Sequence, residues 1–446
     1  MAVSTTPQIA ETVASKHCVA VAYSGGRDST ALLHATVISA LQGRYQVVAL
    51  HINHGLSQLA DAWQEHGSAQ CALWAAAGLP VRFVGHRLTV RPAVGVSVEA
   101  WARQQRYQAL RGMAIDAGAD IVLLAHHRRD QAETWLLQAL RGGGTVGLSS
   151  MPKQVMRDGM TWARPWLQLP RAAIEQYVDS HGLTCIEDDS NSDMRYARNR
   201  LRLAVWPALT QAFPQAESVF AASAAWAAEA TACLRDLAAL DLAVIAPEKK
   251  FSIAAWSALS AARRSNALRA WLAAQMGHAV EASLTRRLMD ELTSEGSSTW
   301  NVSNGVLRRF RGALTYHAHI KAASAQRVSE TLLRITRAGR YPLPGWHGCL
   351  IATGVKQGGV ALAWLGHVEL RMRQGAEQFQ LGSLRPARSL KKQFQAAGVA
   401  AWQRDGPLLF SGGQLVFVPG LGLDARVIAL PGQPQVLLSW RPSPAA

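Results

Sequence analysis

The sequence predicts an α/β protein: a doubly wound parallel sheet in the N-terminal part, then a mainly helical domain and a small α+β domain. The first observation is that short apolar runs alternate with amphipathic helical patterns over residues 1–215. Such alternation favours parallel pairing of the strands. The second observation is that Ala- and Leu-rich helical patterns dominate residues 216–320, and the third is that short strands punctuated by Pro and Gly fill residues 331–446.

Four strands and four helices account for the N-terminal pattern. In sheets of this type ligands bind beyond the carboxyl ends of the strands. Most of the polar motifs lie at such an end or on the helix that follows, so we expect the functional site there. The predicted strands cover residues 19–23, 47–52, 81–84 and 121–125, and the predicted helices cover residues 30–41, 61–77, 98–117 and 130–140.

The later elements are first helical and then strand-like. About three domains are expected for a chain of 446 residues, and the predicted boundaries are 1–215, 216–320 and 331–446. A linker is predicted over residues 319–330. The predicted elements are helices over 219–242, 253–276 and 281–292, a strand-like stretch over 298–310, and one basic helix over 388–397.

Charge and composition narrow the class of function. Lys and Arg number 46 against 30 Asp and Glu, which gives a net charge of +16. This favours a polyanionic partner such as nucleic acid over compositional drift in an Arg-rich proteome. The chain has no run of 18 apolar residues and no signal-peptide pattern at its N-terminus, so we expect a cytoplasmic protein with no membrane partner. The five scattered cysteines indicate neither a zinc site nor a disulfide framework.

The stretch SGGRDS, residues 24–29, is the first candidate ligand site. Gly25 and Gly26 permit backbone conformations closed to other residues and let amides approach an anion. The helix that follows offers free N–H groups and a positive dipole end, and Ser29 is a candidate N-cap. Asp28 suits a phosphate loop if it caps the helix or holds a divalent cation. The Walker pattern is absent, and an ordinary strand–turn–helix junction is the alternative.

Two other glycine-containing stretches need separate interpretations. A second Ser-Gly-Gly at residues 411–413 lies between two strand patterns, so it predicts a hairpin turn and no ligand site. The stretch HINHG, residues 51–55, closes the second predicted strand. His51 and Ile52 suit nucleotide contact there, and a solvated loop is the alternative.

Charged helices follow two strand ends. In VEAWARQQRY, residues 98–107, Arg103 and Arg106 can clamp a polyphosphate, or Arg103 can simply pair with Glu99 one turn earlier.

In HHRRDQAETW, residues 126–135, Asp130 is predicted to begin a helix and to form a capping box with Glu133. The alternative makes Asp130 a second carboxylate for Mg²⁺ beside Asp28.

Acidic residues precede a basic run in the stretch from residue 185 to 202. The acids are either part of a self-neutralising surface or the floor of a substrate pocket, and the arginines then form an edge that faces RNA. The acids are Glu187, Asp188 and Asp189, and the arginines are Arg195, Arg198, Arg200 and Arg202.

Taken together, these stretches resemble the tRNA(Ile)-lysidine synthases, a family within the PP-loop (N-type) ATP pyrophosphatases. The SGGxDS loop marks the superfamily. More specific are HINHGLS (51–57), VEAWARQQRY (98–107), HHRRDQAETWLLQALRGGG (126–144), RPWLQLPR (164–171) and IEDDSN…RNRLR (186–202). Residues 371–410 resemble the last domain of this family, so the resemblance covers nearly the whole chain.

The resemblance implies a Rossmann-like catalytic domain and a two-step reaction on RNA. ATP, bound with Mg²⁺, adenylates the carbon-2 oxygen of the wobble cytidine in the CAU anticodon of isoleucine tRNA, and pyrophosphate is released. The amine of L-lysine then displaces AMP and lysidine forms. Both later domains are expected to bind tRNA.

The resemblance also implies roles for individual residues. Glu133 and the acids at 187–189 are candidates for attracting the lysine ammonium group. ATP binding is expected for Ser24, Gly25, Gly26, Arg27, Asp28, Ser29, His51, Ile52 and Arg106, and catalysis for Asp28, Arg103, His126, Asp130 and Glu133. Mg²⁺ is expected at Asp28 and Asp130, and tRNA at Arg195, Arg198, Arg200, Arg388, Lys391 and Lys392.

One position departs from the family pattern. The histidine segment of the family often reads HHxDDQxET, and this chain has Arg129 where the first Asp commonly stands. We therefore expect Asp130, and not position 129, to bind the metal.

Two rival functions remain at this point. A PP-loop enzyme that transfers sulfur to a tRNA base typically needs paired cysteines, which this chain lacks. A catalytically silent RNA-binding protein would not need the intact set of Asp28, Asp130 and arginines. The sequence leaves the oligomeric state open, with a homodimer as one option.

Overall fold

The structure is a computed structural model that describes residue 9 and residues 17–442, with gaps at 56, 58, 89–97, 188–191, 248–249, 295, 297, 319–330, 347, 401–403 and 405. The chain divides into two compact units, residues 1–237 and 238–446. The predicted linker at 319–330 and the acids Asp188 and Asp189 lie outside the described residues. The division into three domains stays a prediction.

A six-stranded sheet forms the centre of the first unit and confirms the predicted fold class. Its strand order is β3-β2-β1-β4-β6-β5, and every neighbouring pair is parallel except the edge pair β5 and β6. The order reverses beside β1, as in doubly wound sheets. The strands are β1 (Cys18–Ala22), β2 (Gln46–Asn53), β3 (Val81–Arg87), β4 (Ile121–Leu123), β5 (Gln154–Arg157) and β6 (Met160–Ala163).

Helices cover both faces of this sheet. Val19 and Val21 of β1 point into one buried cluster and Ala20 into another, because successive side chains of a strand alternate between faces. The helices are α1 (Arg27–Gly43), α2 (Ala60–Ala76), α3 (Val98–Asp116), α4 (Arg128–Leu140), α5 (Thr145–Leu148), α6 (Arg171–Ser180), α7 (Ala197–Arg200), a π-helix (Leu201–Val205), α8 (Trp206–Ala212) and α9 (Ala216–Ile245).

Two predicted helix starts are late, by three residues for α1 and by two for α4. Helix α1 begins at Arg27 with Gly26 as its N-cap, so Ser29 lies inside the helix. Helix α4 begins at Arg128, so Asp130 stands in its first turn, where it accepts a hydrogen bond of 3.1 Å from the backbone N–H of His127. Both errors have one cause: hydroxyls and carboxylates stabilise the first turn as well as the cap position, and the sequence does not distinguish the two.

The second unit contains a helical part with a small sheet, followed by a strand-rich part. The predicted helix 253–276 is two helices, and Ser260, in an extended conformation, occupies the N-cap position of the second. The predicted strand 298–310 is a hairpin. The elements up to residue 318 are β7 (Phe251–Ser252), α10 (Ile253–Ser257), α11 (Ala261–Met276), α12 (Ala282–Glu291), β8 (Ser298–Val302), β9 (Gly305–Phe310) and β10 (Ala313–Ala318).

The strand-rich part confirms the hairpin that was predicted at the second Ser-Gly-Gly. Gly412 and Gly413 both have left-handed φ angles, 54° and 79°, which a two-residue hairpin turn requires. Its elements are β11 (Thr331–Leu333), β12 (Gly339–Leu343), β13 (Gly348–Val355), β14 (Val360–Ala361), β15 (Val368–Arg371), β16 (Gln378–Phe379), β17 (Arg388–Ser389), α13 (Leu390–Ala397), β18 (Leu408–Ser411), β19 (Gln414–Val418), β20 (Gly422–Leu423) and β21 (Gln435–Pro442). Within the described part of the chain, no helix has both the length and the apolar character needed to cross a bilayer.

An aromatic cluster between α1, α2 and α6 sets a pH dependence of stability. The ring of His34 lies 5.2 Å from that of Trp74, and its Nδ1 atom is 2.9 Å from the hydroxyl of Tyr177. Burial, together with repulsion from His181, lowers the pKa of His34 from 6.5 to about 4.

We expect this part of the fold to weaken as the pH falls from 6.5 towards 4. In that window the unfolded chain binds a proton at His34 and the folded chain does not, so the free energy of unfolding drops by about 1–2 kcal/mol. Hydrogen exchange of the α1 amides measures the effect. The variant His34→Gln should lose less protection than the unchanged protein between these pH values, and equal losses would contradict the prediction.

Candidate active site at the carboxyl edge of the parallel sheet

The loop after β1 is pre-organised by its own hydroxyl groups. The Ser24 and Ser29 hydroxyls lie 2.9 Å apart, and the Ser29 hydroxyl donates to the carbonyl of Gly26 at 2.9 Å. The Ser29 oxygen also accepts from the backbone N–H of Ser24 at 3.2 Å. These contacts fold the loop over the N-terminus of α1, where free backbone N–H groups and the helix dipole favour an anion.

A segment 160 residues further along the chain closes the back of this loop. Gly25 has a φ of +85°, and a Cβ at this position would meet the Ile186 side chain at 2.5 Å. The Gly25 carbonyl accepts hydrogen bonds from the backbone N–H of Ile186 at 2.9 Å and from the Thr30 hydroxyl at 3.1 Å. Gly25 is therefore required both for its backbone conformation and for the close approach of Ile186.

Two carboxylates meet at the buried ring of His127. The His127 Nε2 atom lies 3.6 Å from Asp28 Oδ2 and 3.5 Å from Asp130 Oδ2. Burial opposes protonation, but the contact with Asp28 and the charge of Asp130 raise the pKa of His127. The structure thus brings the two predicted metal ligands, which are 102 positions apart in the sequence, to one point at the edge of the sheet.

The donor set at this point fits a magnesium ion. Asp28 Oδ1 is buried and has no hydrogen-bond partner in the described part of the chain, which is unusual for a carboxylate oxygen. The Oδ1 atom of Asp130 accepts from Arg202 at 2.7 Å. Asp28 Oδ1 is therefore the oxygen at this point that is free for Mg²⁺, whereas Asp130 would have to give up a partner to join it, since its Oδ2 already accepts from the backbone N–H of His127. Mg²⁺ needs few protein ligands, because it keeps several waters or phosphate oxygens.

Glu133 is fully buried and surrounded by guanidinium groups. Arg202 donates from Nε to both carboxylate oxygens of Glu133, at 2.8 and 2.9 Å. The Nε atoms of Arg129 and Arg198 lie 3.3 and 3.5 Å from the same carboxylate. Arg129 also lies over the Trp206 ring, 5.1 Å from its centroid. In this chain the arginine at position 129 therefore contributes to a buried ion cluster.

The π-helix after α7 carries the arginine that joins the two acids. Arg202 lies in its second position and contacts Asp130 and Glu133 together, one turn apart on α4. Burial opposes the charge of Arg202, but the bonds to Glu133 and the nearby Asp130 raise its pKa. A π-turn inserts an extra residue into the helix, and such turns are frequent at functional sites.

A second group of basic side chains surrounds His126. Burial lowers the pKa of His126 to about 3; Asp130 acts in the opposite direction, and Arg164, Arg198 and Arg106 act in the same direction. Its Nδ1 atom is buried, and no described residue forms a hydrogen bond with it. His126 is therefore a neutral imidazole close to several cations.

The arginines of α3 belong to the same region. The guanidinium groups of Arg103 and Arg106 lie 5.5 and 5.9 Å from the centroid of the Tyr107 ring. Burial lowers the pKa of His54, and the charge of Arg106 lowers it further. The structure thus places Arg106 near both His54 and His126, at the ends of β2 and β4.

The remaining predicted residues are divided between the interior and the surface. His51 is buried, and its Nδ1 atom is 3.0 Å from the Tyr23 carbonyl, while Ile52 is half-buried. Arg198 bonds to the Thr134 hydroxyl at 2.6 Å on α4. Glu187 is exposed, and so are Arg195, Arg200, Arg388, Lys391 and Lys392.

Sequence reasoning missed three side chains of this site. Arg202 was seen only as a member of a basic run, although its spacing of four residues from Arg198 on a helix could have placed both on one face. Ile186 and Glu175 gave no signal. Their partners, Gly25 and Arg27, are far away in the sequence.

Known families match this chain in three successive regions. A PP-loop domain matches residues 2–209, a TilS substrate binding domain matches residues 251–315, and a TilS substrate C-terminal domain matches residues 368–440. The first region contains the loop, both carboxylates and the arginine cluster described above.

Curated relatives match over nearly the whole length. The tRNA(Ile)-lysidine synthase of Ralstonia nicotianae is 40% identical over 431 residues, which is 92% of this chain and 90% of that protein. The tRNA(Ile)-lysidine synthase of Burkholderia mallei is 38% identical over 443 residues, covering 91% and 89%. The structure of the U34-tRNA thiolase NcsA from Methanococcus maripaludis covers 49% of this chain and 76% of its own with 12% identity and a TM-score of 0.41, a likeness too low to support any conclusion.

Proposed function

The chain belongs to the tRNA(Ile)-lysidine synthase family, and from this premise we propose that it ligates L-lysine to carbon 2 of the wobble cytidine in isoleucine tRNA with a CAU anticodon. The observation that carries the proposal is the site itself: a phosphate-binding loop whose Asp28 meets Asp130 at His127. ATP and tRNA are the substrates of the first step, and lysine enters in the second.

In the first step the loop holds the phosphates of ATP while the cytidine oxygen attacks the α-phosphorus. The N–H groups and hydroxyls of residues 24–29 receive the pyrophosphate as it leaves, since donors fixed in advance stabilise the developing charge. Arg103 and Arg106 offset the phosphate charge from the side of α3. Asp28 and Asp130 would hold Mg²⁺, which would supply further neutralisation of phosphate charge.

His126 suits contact with an uncharged part of a substrate. It is neutral over the physiological pH range, because its pKa is lowered to about 3. We assign its Nδ1 atom to a hydrogen bond with the nucleotide or with the target base. A group of such low basicity is a poor acceptor for the proton of an ammonium ion, so the proton of lysine is taken elsewhere.

The lysine ammonium group is best attracted by the exposed acid that follows Ile186, Glu187. Glu133 already has three guanidinium partners, which leaves no free charge for a substrate cation. Glu187 is exposed and directly follows the residue that packs on the phosphate loop. We therefore propose Glu187, with its neighbours at 188 and 189, over Glu133 as the acid that recruits lysine.

Transfer of labelled lysine to RNA tests the function. Purified protein is incubated with an unmodified transcript of the isoleucine tRNA, Mg-ATP and radiolabelled lysine, and a transcript with a CAG anticodon serves as the control. We expect label in the first RNA only. If pyrophosphate is released but no label enters the RNA, the protein adenylates a substrate, and the result contradicts lysidine formation.

The proposed tRNA contacts are the five exposed cations of the predicted set: Arg195, Arg200, Arg388, Lys391 and Lys392. Arg198, also predicted to contact tRNA, is half-buried and belongs to the ion cluster at Glu133. We expect tRNA affinity to fall linearly on a logarithmic salt scale, because each phosphate contact releases bound counterions. Filter binding at increasing salt measures this dependence. Lys391→Ala and Lys392→Ala should each reduce the slope by about 1.

Lys356→Ala is the matched control, since it removes the same charge from an exposed position of the strand-rich part. An equal change of slope in this variant would contradict a specific role for α13. The homodimer, the cytoplasmic location and the three domain boundaries stay predictions.

A further inference from the structure

Helices α1 and α6, beside the phosphate loop, begin with a residue of the wrong charge, as α4 does at Arg128. The first residue of α1 is Arg27, and the first residue of α6 is Arg171. The dipole of a helix makes its N-terminus favourable for anions and unfavourable for cations. Local helix stability therefore does not explain either arginine, and another interaction must account for them.

One carboxylate is shared between these two arginines. Nη1 of Arg27 donates to Oε1 of Glu175 at 2.8 Å, and Nε of Arg171 donates to the same oxygen at 3.1 Å. Two guanidinium groups on one carboxylate leave one positive charge uncompensated. A further cation, Arg129, lies close enough to Arg171 for the repulsion to lower its own pKa, after the larger effect of burial.

The pair between Arg27 and Glu175 can open at little cost. The two side chains are 43% and 40% exposed, and ion pairs of that exposure contribute little to stability. Arg171 lies four residues before Glu175 on α6, so it stays next to the carboxylate when Arg27 leaves. Glu175 therefore keeps a partner in both states.

Arg27 is placed to reach an anion on the loop. It stands between Gly26 and Asp28, within the loop, and its Cα–Cβ bond tilts towards the N-terminus of α1, as for every helical residue. A guanidinium group gives two parallel hydrogen bonds to a phosphate group, which the shared carboxylate oxygen does not provide.

Arg27 is already expected in the ATP-binding loop, and we propose that it contacts the phosphates through its side chain and that Glu175 holds this side chain beside the loop until the nucleotide binds. Arg27 then moves from the Glu175 carboxylate to the phosphates that leave as pyrophosphate, while Arg171 stays on Glu175. The proposal deepens the proposed function and rests on it, because it takes the loop as the pyrophosphate site. Glu175 acts here as a positioning residue that competes with the ligand.

Competition predicts opposite effects for the two partners. Binding of magnesium pyrophosphate alone, measured by titration calorimetry, should weaken about 10- to 100-fold in Arg27→Gln, the range for one lost charge-assisted contact. In Glu175→Gln the same affinity should rise several-fold, because Arg27 is no longer held. The double variant should bind as weakly as Arg27→Gln.

A second arginine–glutamate pair provides the matched control. Arg128 begins α4 and donates to Glu217 of α9 at 2.9 Å, so Arg128→Gln and Glu217→Gln repeat the chemistry on a different helix. Both should bind pyrophosphate as the unchanged protein does. Binding of tRNA without nucleotide should be the same in all variants.

Four results would overturn the inference. Unchanged pyrophosphate affinity in Arg27→Gln would show that Arg27 does not contact the phosphates. Weaker pyrophosphate binding in Glu175→Gln would show that Glu175 has a structural role only. Tight binding of pyrophosphate in the double variant would show that Arg171, which is then without its carboxylate partner, binds the anion in place of Arg27. A loss of tRNA affinity in place of pyrophosphate affinity would assign Arg27 to RNA. If the unchanged protein binds no pyrophosphate, the proposed function itself fails, which is a different outcome.

Discussion

Replacing Asp28 by asparagine is expected to reduce ATP-dependent pyrophosphate release by about three orders of magnitude. The reason is the buried Oδ1 atom of Asp28, which has no hydrogen-bond partner among the residues that the structure describes. An amide keeps the shape of the side chain and removes the negative charge that a divalent cation requires. Release is measured in the presence of tRNA and saturating Mg-ATP.

An aspartate in the first turn of the next helix is the matched control. Asp61 of α2 has partners in the protein: it accepts from Asn53 at 2.7 Å and lies 3.3 Å from Arg87. Asp61→Asn should leave pyrophosphate release within about twofold of normal, as expected for a surface pair. Near-normal release in Asp28→Asn would contradict the assigned metal role.

Glu133→Gln is expected to produce the largest loss of stability of any single change in the site. The carboxylate is fully buried and opposes three arginines, so the amide leaves buried cations without a counter-charge. Breaking a buried pair from one side costs about 3–5 kcal/mol. In a unit of this size, that is a fall in melting temperature of roughly 10 °C.

The activity of this variant should fall as well, because Arg202 links Glu133 to Asp130. The double variant Glu133→Gln with Arg202→Gln should lose less stability than the sum of the two single losses, by about 0.5–3 kcal/mol, since the two residues interact directly. Glu217→Gln, which removes a partly exposed acid, is the control and should change stability by less than about 1 kcal/mol. If the stability losses of the two single variants simply add in the double variant, the result would contradict a direct interaction between Glu133 and Arg202.

Much of the fold was predictable because its signals are local. The alternation of strand and helix patterns, the Gly-rich loop after β1 and the hairpin at Gly412 depend on neighbours a few residues apart. The errors also concerned local features, namely the starts of two helices. Ser29 and Asp130 are residues that stabilise a helix start at several positions, so the first turn was displaced.

The sequence by itself determined which residue types stand at the carboxyl edge of the sheet, and the order of strands and helices that brings them there. Only the tertiary structure decided which of them meet. It joined Arg202 to Glu133 over a separation of 69 residues and Arg27 to Glu175 over 148. It also showed that Glu133, which the sequence made a candidate for lysine binding, lies at the centre of an ion cluster. The physical reason is that a buried charge takes its partner from whatever the packed chain places within about 4 Å, and distance along the sequence carries no information about that.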